Sequence, residues 1–230
     1  MSARTKSDAM LLALAFAGGV LDVASYIGLG RVFTANMTGN TVLLTVNFAQ
    51  GNGADVAHSA VALGGFCVGA GIGALMMRSA RGPWPGRARA ALAFEALMLL
   101  LVLVLWEVLG ELELDYLLIA IAAAGMGSQS AVVHGSDIRG VNTTYMTGTL
   151  LNAIVRLVQR RSRSGRAEEG PSLPGAAWAT YALGALAGAF AYTSWRAATV
   201  SIPVAIVAAI TVSAFRDCRR AGCVAGDQGA

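Results

Sequence analysis

Val32-Phe33-Thr34-Ala35-Asn36-Met37-Thr38-Gly39-Asn40-Thr41-Val42-Leu43-Leu44-Thr45-Val46-Asn47-Phe48-Ala49-Gln50 lies between long apolar segments that lack its density of hydroxyl and amide side chains. It has a second copy. About 109 residues later, Val141-Asn142-Thr143-Thr144-Tyr145-Met146-Thr147-Gly148-Thr149-Leu150-Leu151-Asn152 repeats Met37-Thr38-Gly39 as Met146-Thr147-Gly148 and is again followed by Asn or Thr side chains and leucine. An internal repeat sets architecture, so the rest of the chain is read around this pair.

The surroundings are those of a membrane protein. Of 230 residues 56% are hydrophobic and 13% charged, against about 25% charged in soluble domains, and mean hydropathy is +0.61. The net charge of +4 does not point to nucleic acid, because the arginines form short clusters between apolar runs without interleaved aromatics. Cys67, Cys218 and Cys223 form an odd, unpatterned set that fits neither a disulfide framework nor a zinc site. The charged start and the run Ala9–Ala17 have the look of a signal peptide, but the apolar stretch continues to Leu29, about the 20 residues of a spanning helix.

Apolar runs fall at roughly 10–29, 37–49, 58–77, 90–109, 116–133, 146–158, 174–193 and 197–215. Six are long enough to span; the second and sixth are short and carry the motif. Connectors alternate in charge, from Arg4 and Lys6, through Asp55, to Arg78, Arg81, Arg87 and Arg89, then Glu107, Glu111, Glu113 and Asp115, then Arg160, Arg161, Arg163 and Arg166, and finally Arg216, Arg219 and Arg220. Basic connectors stay cytoplasmic, which puts both termini inside. That topology needs 10–29 with 37–49, and 116–133 with 146–158, each to make one net crossing, so each pair is broken: as one continuous helix it would be about twice the hydrocarbon thickness. The breaks are expected near Gly28–Arg31 and Gly135–Gly140.

The fold expected is therefore all-α and polytopic, a single transmembrane domain over 1–230 with six transmembrane helices plus two motif-bearing half-helices. It consists of two inverted-topology repeats, about 8–110 and 114–217, with 218–230 a cytoplasmic tail. Gly65, Gly69 and Gly73, and later Gly184 and Gly188, have the four-residue spacing that lets helix backbones approach in lipid.

Chemistry must come from intramembrane polar groups. Asp22 is about 20 Å into the first span by helix rise, where a carboxylate is costly and marks function unless neighbouring hydroxyls such as Ser25 cap it as a packing device. Glu95 either serves a site or sits near the headgroups with Arg87 or Arg89. Arg31 and Arg139, at the two breaks, either hold an anionic ligand or end at opposite interfaces, and Asp137 is available to neutralise Arg139. His134 reads as a loop histidine. Where a helix restarts, its first N–H groups are unpaired and its dipole end is positive, so Asn36, Thr38 and Asn40, with Tyr145, Thr147 and Thr149, can both cap the half-helix and contact a ligand. Gly39 and Gly148 let the backbone come close. Broken helices of inverted repeats meeting at mid-depth build transporter sites; the other reading makes the same side chains caps and glue.

The runs Gly19-x-x-Asp22-x-x-x-Tyr26-x-x-Leu29-Gly30-x-Val32-Phe33-x-Ala35-Asn36-Met37-Thr38-Gly39-Asn40, Gly125-Met126-Gly127-Ser128-Gln129-Ser130-Ala131 and Thr143-Thr144-Tyr145-Met146-Thr147-Gly148-Thr149 resemble the YoaK-type small bacterial membrane proteins, a family with a domain of unknown function. The resemblance covers essentially the whole chain and is most specific in Ala35–Asn40. It implies a six-span protein of the bacterial inner membrane and brings no activity with it. Ser130 stands where the family pattern leads one to expect Asn.

The functional expectation is a small secondary transporter or channel, proton- or sodium-linked through Asp22, against a non-transporting scaffold or sensor. Ligand-binding candidates are Asp22, Tyr26, Asn36, Thr38, Gly39, Asn40, Gln129, Thr143, Tyr145, Thr147, Gly148 and Thr149, with Arg31, Glu95 and Arg139 secondary. No enzyme motif is present: no His-Glu-x-x-His, phosphate-cradling Gly-rich loop or Gly-x-Ser-x-Gly elbow. No cofactor or metal is expected. The partners expected are the lipid bilayer, an unidentified small molecule or ion, and a second copy in a homodimer.

Overall fold

A computed structural model describes residues 3–78, 88–109, 114–136, 143–162 and 172–220. All regular structure there is helical: α1 (Ala3–Gly28), α2 (Met37–Ala49), α3 (Gly53–Met77), α4 (Ala88–Leu109), α5 (Asp115–Gly135), α6 (Met146–Ser162), α7 (Ser172–Ser194) and α8 (Arg196–Arg220). Helix is what a chain in hydrocarbon must form, because each backbone N–H and C=O has to find its partner within the segment.

Five helices, over Thr5–Gly28, Gly53–Met77, Ala88–Val108, Asp115–Gly135 and Thr199–Arg216, are long and apolar enough to cross a membrane. The expectation of six is one more than this, and the difference is α7. Its 23 residues suffice in length, but Gly, Trp, Tyr and Thr dilute its hydropathy. The glycines bring it against α1: a Cβ at Gly184 would overlap the carbonyl of Phe16, and one at Gly188 would stand 3.1 Å from Val20 Cα. A matching contact joins α3 and α5. There a Cβ at Gly65 would stand 2.6 Å from the Ala120 carbonyl, and one at Gly69 would overlap that of Ala124. In both pairs residue numbers rise together along the contact, so α1 runs parallel to α7 and α3 parallel to α5.

Around these pairs α4 packs on α5 and α8, α8 on α1, α2 on α3, and α6 on α7. Large apolar side chains lie on both sides: Leu11, Leu14, Leu92, Leu99, Ile119 and Met126 are buried, while Val68 is 61% exposed, Leu75 68%, Val108 72% and Phe190 68%. At its contact with α5, α3 buries Gly69 and Gly73, and such small residues let helix backbones approach closely in lipid.

The first break falls where the sequence places it. Leu29 N–H still donates to Ser25 O at 2.8 Å, then Gly30 (φ +72) and Arg31 (φ +58) turn left-handed, which stops the helix. Gly30 is irreplaceable on a second count, since a Cβ would lie 2.6 Å from His58 Nδ1 near the start of α3. Residues 32–36 fold back beside α1, α2 runs 13 residues from Met37, and a turn with Gly51 at φ +75 leads into α3. Segment 29–52 therefore leaves and returns at one end of the bundle. The second break begins at Ser136, whose N–H donates to Val133 O at 3.3 Å; Asp137, Arg139 and the rest of 137–142 lie outside the described residues, as do Arg87, residues 110–113 of the 107–115 connector and the tail from 221.

Candidate functional site

Asp22 sits about 9 Å, six residues of helix rise, before the end of α1, and it is 2% exposed. Its carboxylate holds the returning chain. Oδ1 accepts from Ala35 N–H at 2.7 Å and from Thr34 Oγ1 at 3.4 Å, and Oδ2 accepts from the Tyr181 hydroxyl of α7 at 2.7 Å. Ser25, the hydroxyl that the packing reading offered as a cap, donates to the Asp22 backbone carbonyl at 3.1 Å. Burial of a carboxylate is tolerable with this many donors.

Asn40 and Asn36 fix the same turn from the other side. The Asn40 amide donates to Phe33 O at 2.6 Å and accepts from Phe33 N–H at 2.9 Å, so one side chain satisfies both backbone groups of a residue without a ladder. Asn36 caps α2 by accepting from Gly39 N–H at 3.1 Å. Gly39 lies under this cap, where a Cβ would come 2.9 Å from Asn36 Nδ2 and 3.0 Å from the Phe33 ring.

In the second copy Gln129 of α5 donates to Leu14 O of α1 at 3.3 Å and to Thr143 Oγ1 at 3.1 Å. Ser130 meets Thr144 Oγ1 at 2.6 Å, and Thr149 Oγ1 donates to Tyr145 O at 3.2 Å. A Cβ at Gly148 would overlap the Tyr145 ring. Among the described residues the two breaks differ in their anchor: a carboxylate with a tyrosine hydroxyl holds the first, and amide and hydroxyl groups hold the second.

Between the breaks lies a cavity of about 700 Å³. The first copy contributes Ala35, Asn36, Met37 and Thr38, and the second Thr144, Tyr145, Met146 and Thr147. Phe66 and Arg78 line it from α3 and its end, Ser130 and His134 from α5, and Tyr181 from α7. Of the residues singled out in the sequence, Asn36, Thr38, Tyr145 and Thr147 are on this wall. Asp22 stands one side chain behind it, through Tyr181. Asn40, Gln129, Thr143 and Thr149 are buried and brace the turns, and Gly39 and Gly148 underlie them.

Three candidates stand apart from the cavity wall. Tyr26 is 39% exposed and stacks on Phe33 with ring centroids 5.2 Å apart. Arg31 is exposed at the first break. For Glu95 a headgroup position with Arg87 or Arg89 is corrected: it is fully buried, neither carboxylate oxygen has a hydrogen-bond partner, and Arg89 lies 5.6 Å over the Phe215 ring. The reason is helical phase, since Glu95 falls on the stripe Ala88, Ala91, Leu92, Leu99 and Val102 that α4 buries. Arg139 lies outside the described residues.

Tyr181, Phe66, Arg78 and His134 were not singled out for the site by sequence reasoning. Tyr181 offered one clue, a phenol beside Thr180 in the middle of an apolar run. Arg78 read as a topogenic charge and His134 as a loop residue.

Residues 10–213 match the family described as "Protein of unknown function (DUF1275)". The chain is also 35% identical over 155 residues, 67% of its own length and 68% of the relative's, to the UPF0700 transmembrane protein YoaK of Bacillus subtilis (strain 168). No solved structure matches it.

Proposed function

The chain belongs to the DUF1275 family of proteins of unknown function, and from that premise we propose that it is a small secondary transporter or channel whose substrate site is the cavity between the two motif copies. The observation that carries this reading is the wall itself: both breaks contribute to one space of about 700 Å³, inside the range of small-molecule sites. It is not an enzyme in this reading: among the described residues Ser130, the wall hydroxyl nearest His134 in the helix, bonds to Met126 O and Thr144 and not to the imidazole.

The architecture proposed is six spans with two re-entrant half-helices, in two inverted repeats, in a bacterial inner membrane. Exchanging α1, α2, α3 and α4 for α5, α6, α7 and α8 supports it. The exchange turns the α1–α7 contact into α5–α3, α4–α5 into α8–α1 and α2–α3 into α6–α7, and it leaves α4–α8 in place. Under a cytoplasmic placement of both termini, cysteines at Asp55 and Arg161, in a background without the native three, are expected to differ. Only Asp55→Cys should react with an impermeant maleimide added outside; equal reaction of both removes the inverted topology.

Proton or sodium linkage attaches to Asp22. Its Oδ2 reaches the cavity only through the Tyr181 hydroxyl, so exchange of a proton or cation at Asp22 reaches the wall as loss or gain of that hydroxyl's acceptor. A homodimer is part of the same reading, supported by Gly64 and Gly71 of α3, which have open space around them on the outer face; a monomer mass in nanodiscs removes that part.

The alternative, a scaffold, draws on Asn40, Gln129 and Thr143, whose amide and hydroxyl groups bond Phe33, Leu14 and, between Gln129 and Thr143, one another across the turns. Ligand-dependent melting separates the two readings. In nanodiscs, a panel of small metabolites and ions should contain compounds that stabilise the wild type by about 2.7 kcal/mol at a hundredfold excess over Kd. Thr38→Trp and Thr147→Trp, which fill the cavity, should not respond. If no compound stabilises the wild type, or the filled variants respond equally, the scaffold reading stands.

A further inference from the structure

We infer that the cavity takes an amphipathic organic anion, a carboxylate carried on a flat apolar body; the inference rests on reading the cavity as a substrate site. Its lining divides by chemistry. Met37, Met77, Met146, Phe66 and Tyr145 offer thioether and ring surface, which adapts to a flat apolar group and gains contact along ring faces and edges. Arg78 and His134, which follow or close the ends of α3 and α5, supply the cationic and imidazole groups.

Among the described residues the wall carries no Asp or Glu. Asp22, behind it, has its oxygens engaged by Ala35, Thr34 and Tyr181 and presents the hydroxyphenyl group of Tyr181 to the cavity in place of its charge. A guanidinium on a wall without a carboxylate is matched by a carboxylate arriving with the ligand, because its fork accepts two parallel N–H···O bonds. The hydroxyls of Thr38, Thr144 and Thr147 donate to the same group. The starts of α2 and α6 add potential of the same sign. A cationic ligand would meet Arg78 with no acid among the described wall residues to offset it.

The test uses the full chain in phosphatidylcholine nanodiscs and three probes of one shape: 2-naphthoate, 2-naphthamide and 2-naphthylmethylamine. By titration calorimetry the carboxylate is expected to bind at least tenfold more tightly than the amide or the amine. Arg78→Gln should abolish that preference while leaving the amide affinity within twofold, and His134→Gln provides a second variant if the first does not fold. Adding phosphatidylglycerol distinguishes the source of the anion. Competition with 2-naphthoate assigns the site to a lipid-borne anion, and absence of competition to a soluble one; both keep the chemistry. Amide or amine binding as tightly as the carboxylate overturns the inference and leaves the cavity a site. A null result with all three overturns the anion class alone if another compound of the wider panel stabilises the protein, and the substrate site as well if none does.

Discussion

Asp22→Leu is expected to lower unfolding stability by about 2–6 kcal/mol, the cost of leaving two buried donors without an acceptor at about 1–3 kcal/mol each. The donors are Ala35 N–H and the Tyr181 hydroxyl, each 2.7 Å from the carboxylate. Asp22→Asn should behave differently. Its carbonyl oxygen can still accept from Ala35, and its amide N–H can donate to the Tyr181 oxygen, so the stability loss should stay under about 2 kcal/mol. What Asn cannot do is exchange a proton or bind a cation by charge. In proteoliposomes Asp22→Asn should therefore abolish gradient-driven uptake of whichever ligand stabilises the wild type, while the melting curve stays cooperative. Uptake equal to wild type would detach Asp22 from function and leave it a turn anchor.

The second large effect concerns the glycine contacts. Gly69→Val and Gly184→Val each place a branched side chain where a backbone carbonyl of the neighbouring helix already lies. Backbone cannot rotate aside as a flexible side chain can, so each should cost at least about 3 kcal/mol, the upper end for overpacking. The measurement is melting of the purified protein, together with its monodispersity in detergent. Gly64→Val is the control, with nothing within 4 Å of its Cβ, and should stay within about 0.5 kcal/mol. If the homodimer uses this face, Gly64→Val changes particle mass and not the melting temperature. Equal melting of Gly69→Val and Gly64→Val would mean that α3 and α5 are farther apart than the structure has them.

The sequence made the helices and the first break legible because their causes are local. Met37–Ala49 is bounded by its own cap at Asn36, and Gly30 followed by Arg31 stops α1 within two residues. The glycine spacing in α3 and α7 carried its meaning too, although which helix each would face was not contained in it. Asp22 could be recognised as buried, but its partner Tyr181 is 159 residues away, and no spacing rule connects two residues that meet only when α1 and α7 pack. Glu95 illustrates the opposite error. Proximity in sequence to Arg89 suggested a pair, while the helical phase of α4, also readable, directs the carboxyl to the interior. Five helices meet both length and apolarity, and α7 meets length alone, because Gly, Trp, Tyr and Thr interrupt its Ala and Leu.

The two backbone-to-backbone contacts carry a mechanical consequence. Helices separated by side chains can slide past one another by small rotamer changes, whereas helices whose carbonyls sit in each other's glycine notches interlock and resist shear. The α1–α7 and α3–α5 pairs should then behave as two stiff beams, and any alternation in the accessibility of the cavity must come from tilting one beam against the other. Gln129 to Leu14 is a bond that crosses that seam, whereas Ala35 to Asp22 ties the returning segment 32–36 to the α1–α7 beam. Gln129 is therefore a latch that such a tilt has to strain or release, and Asp22 decides whether the first break travels with its beam.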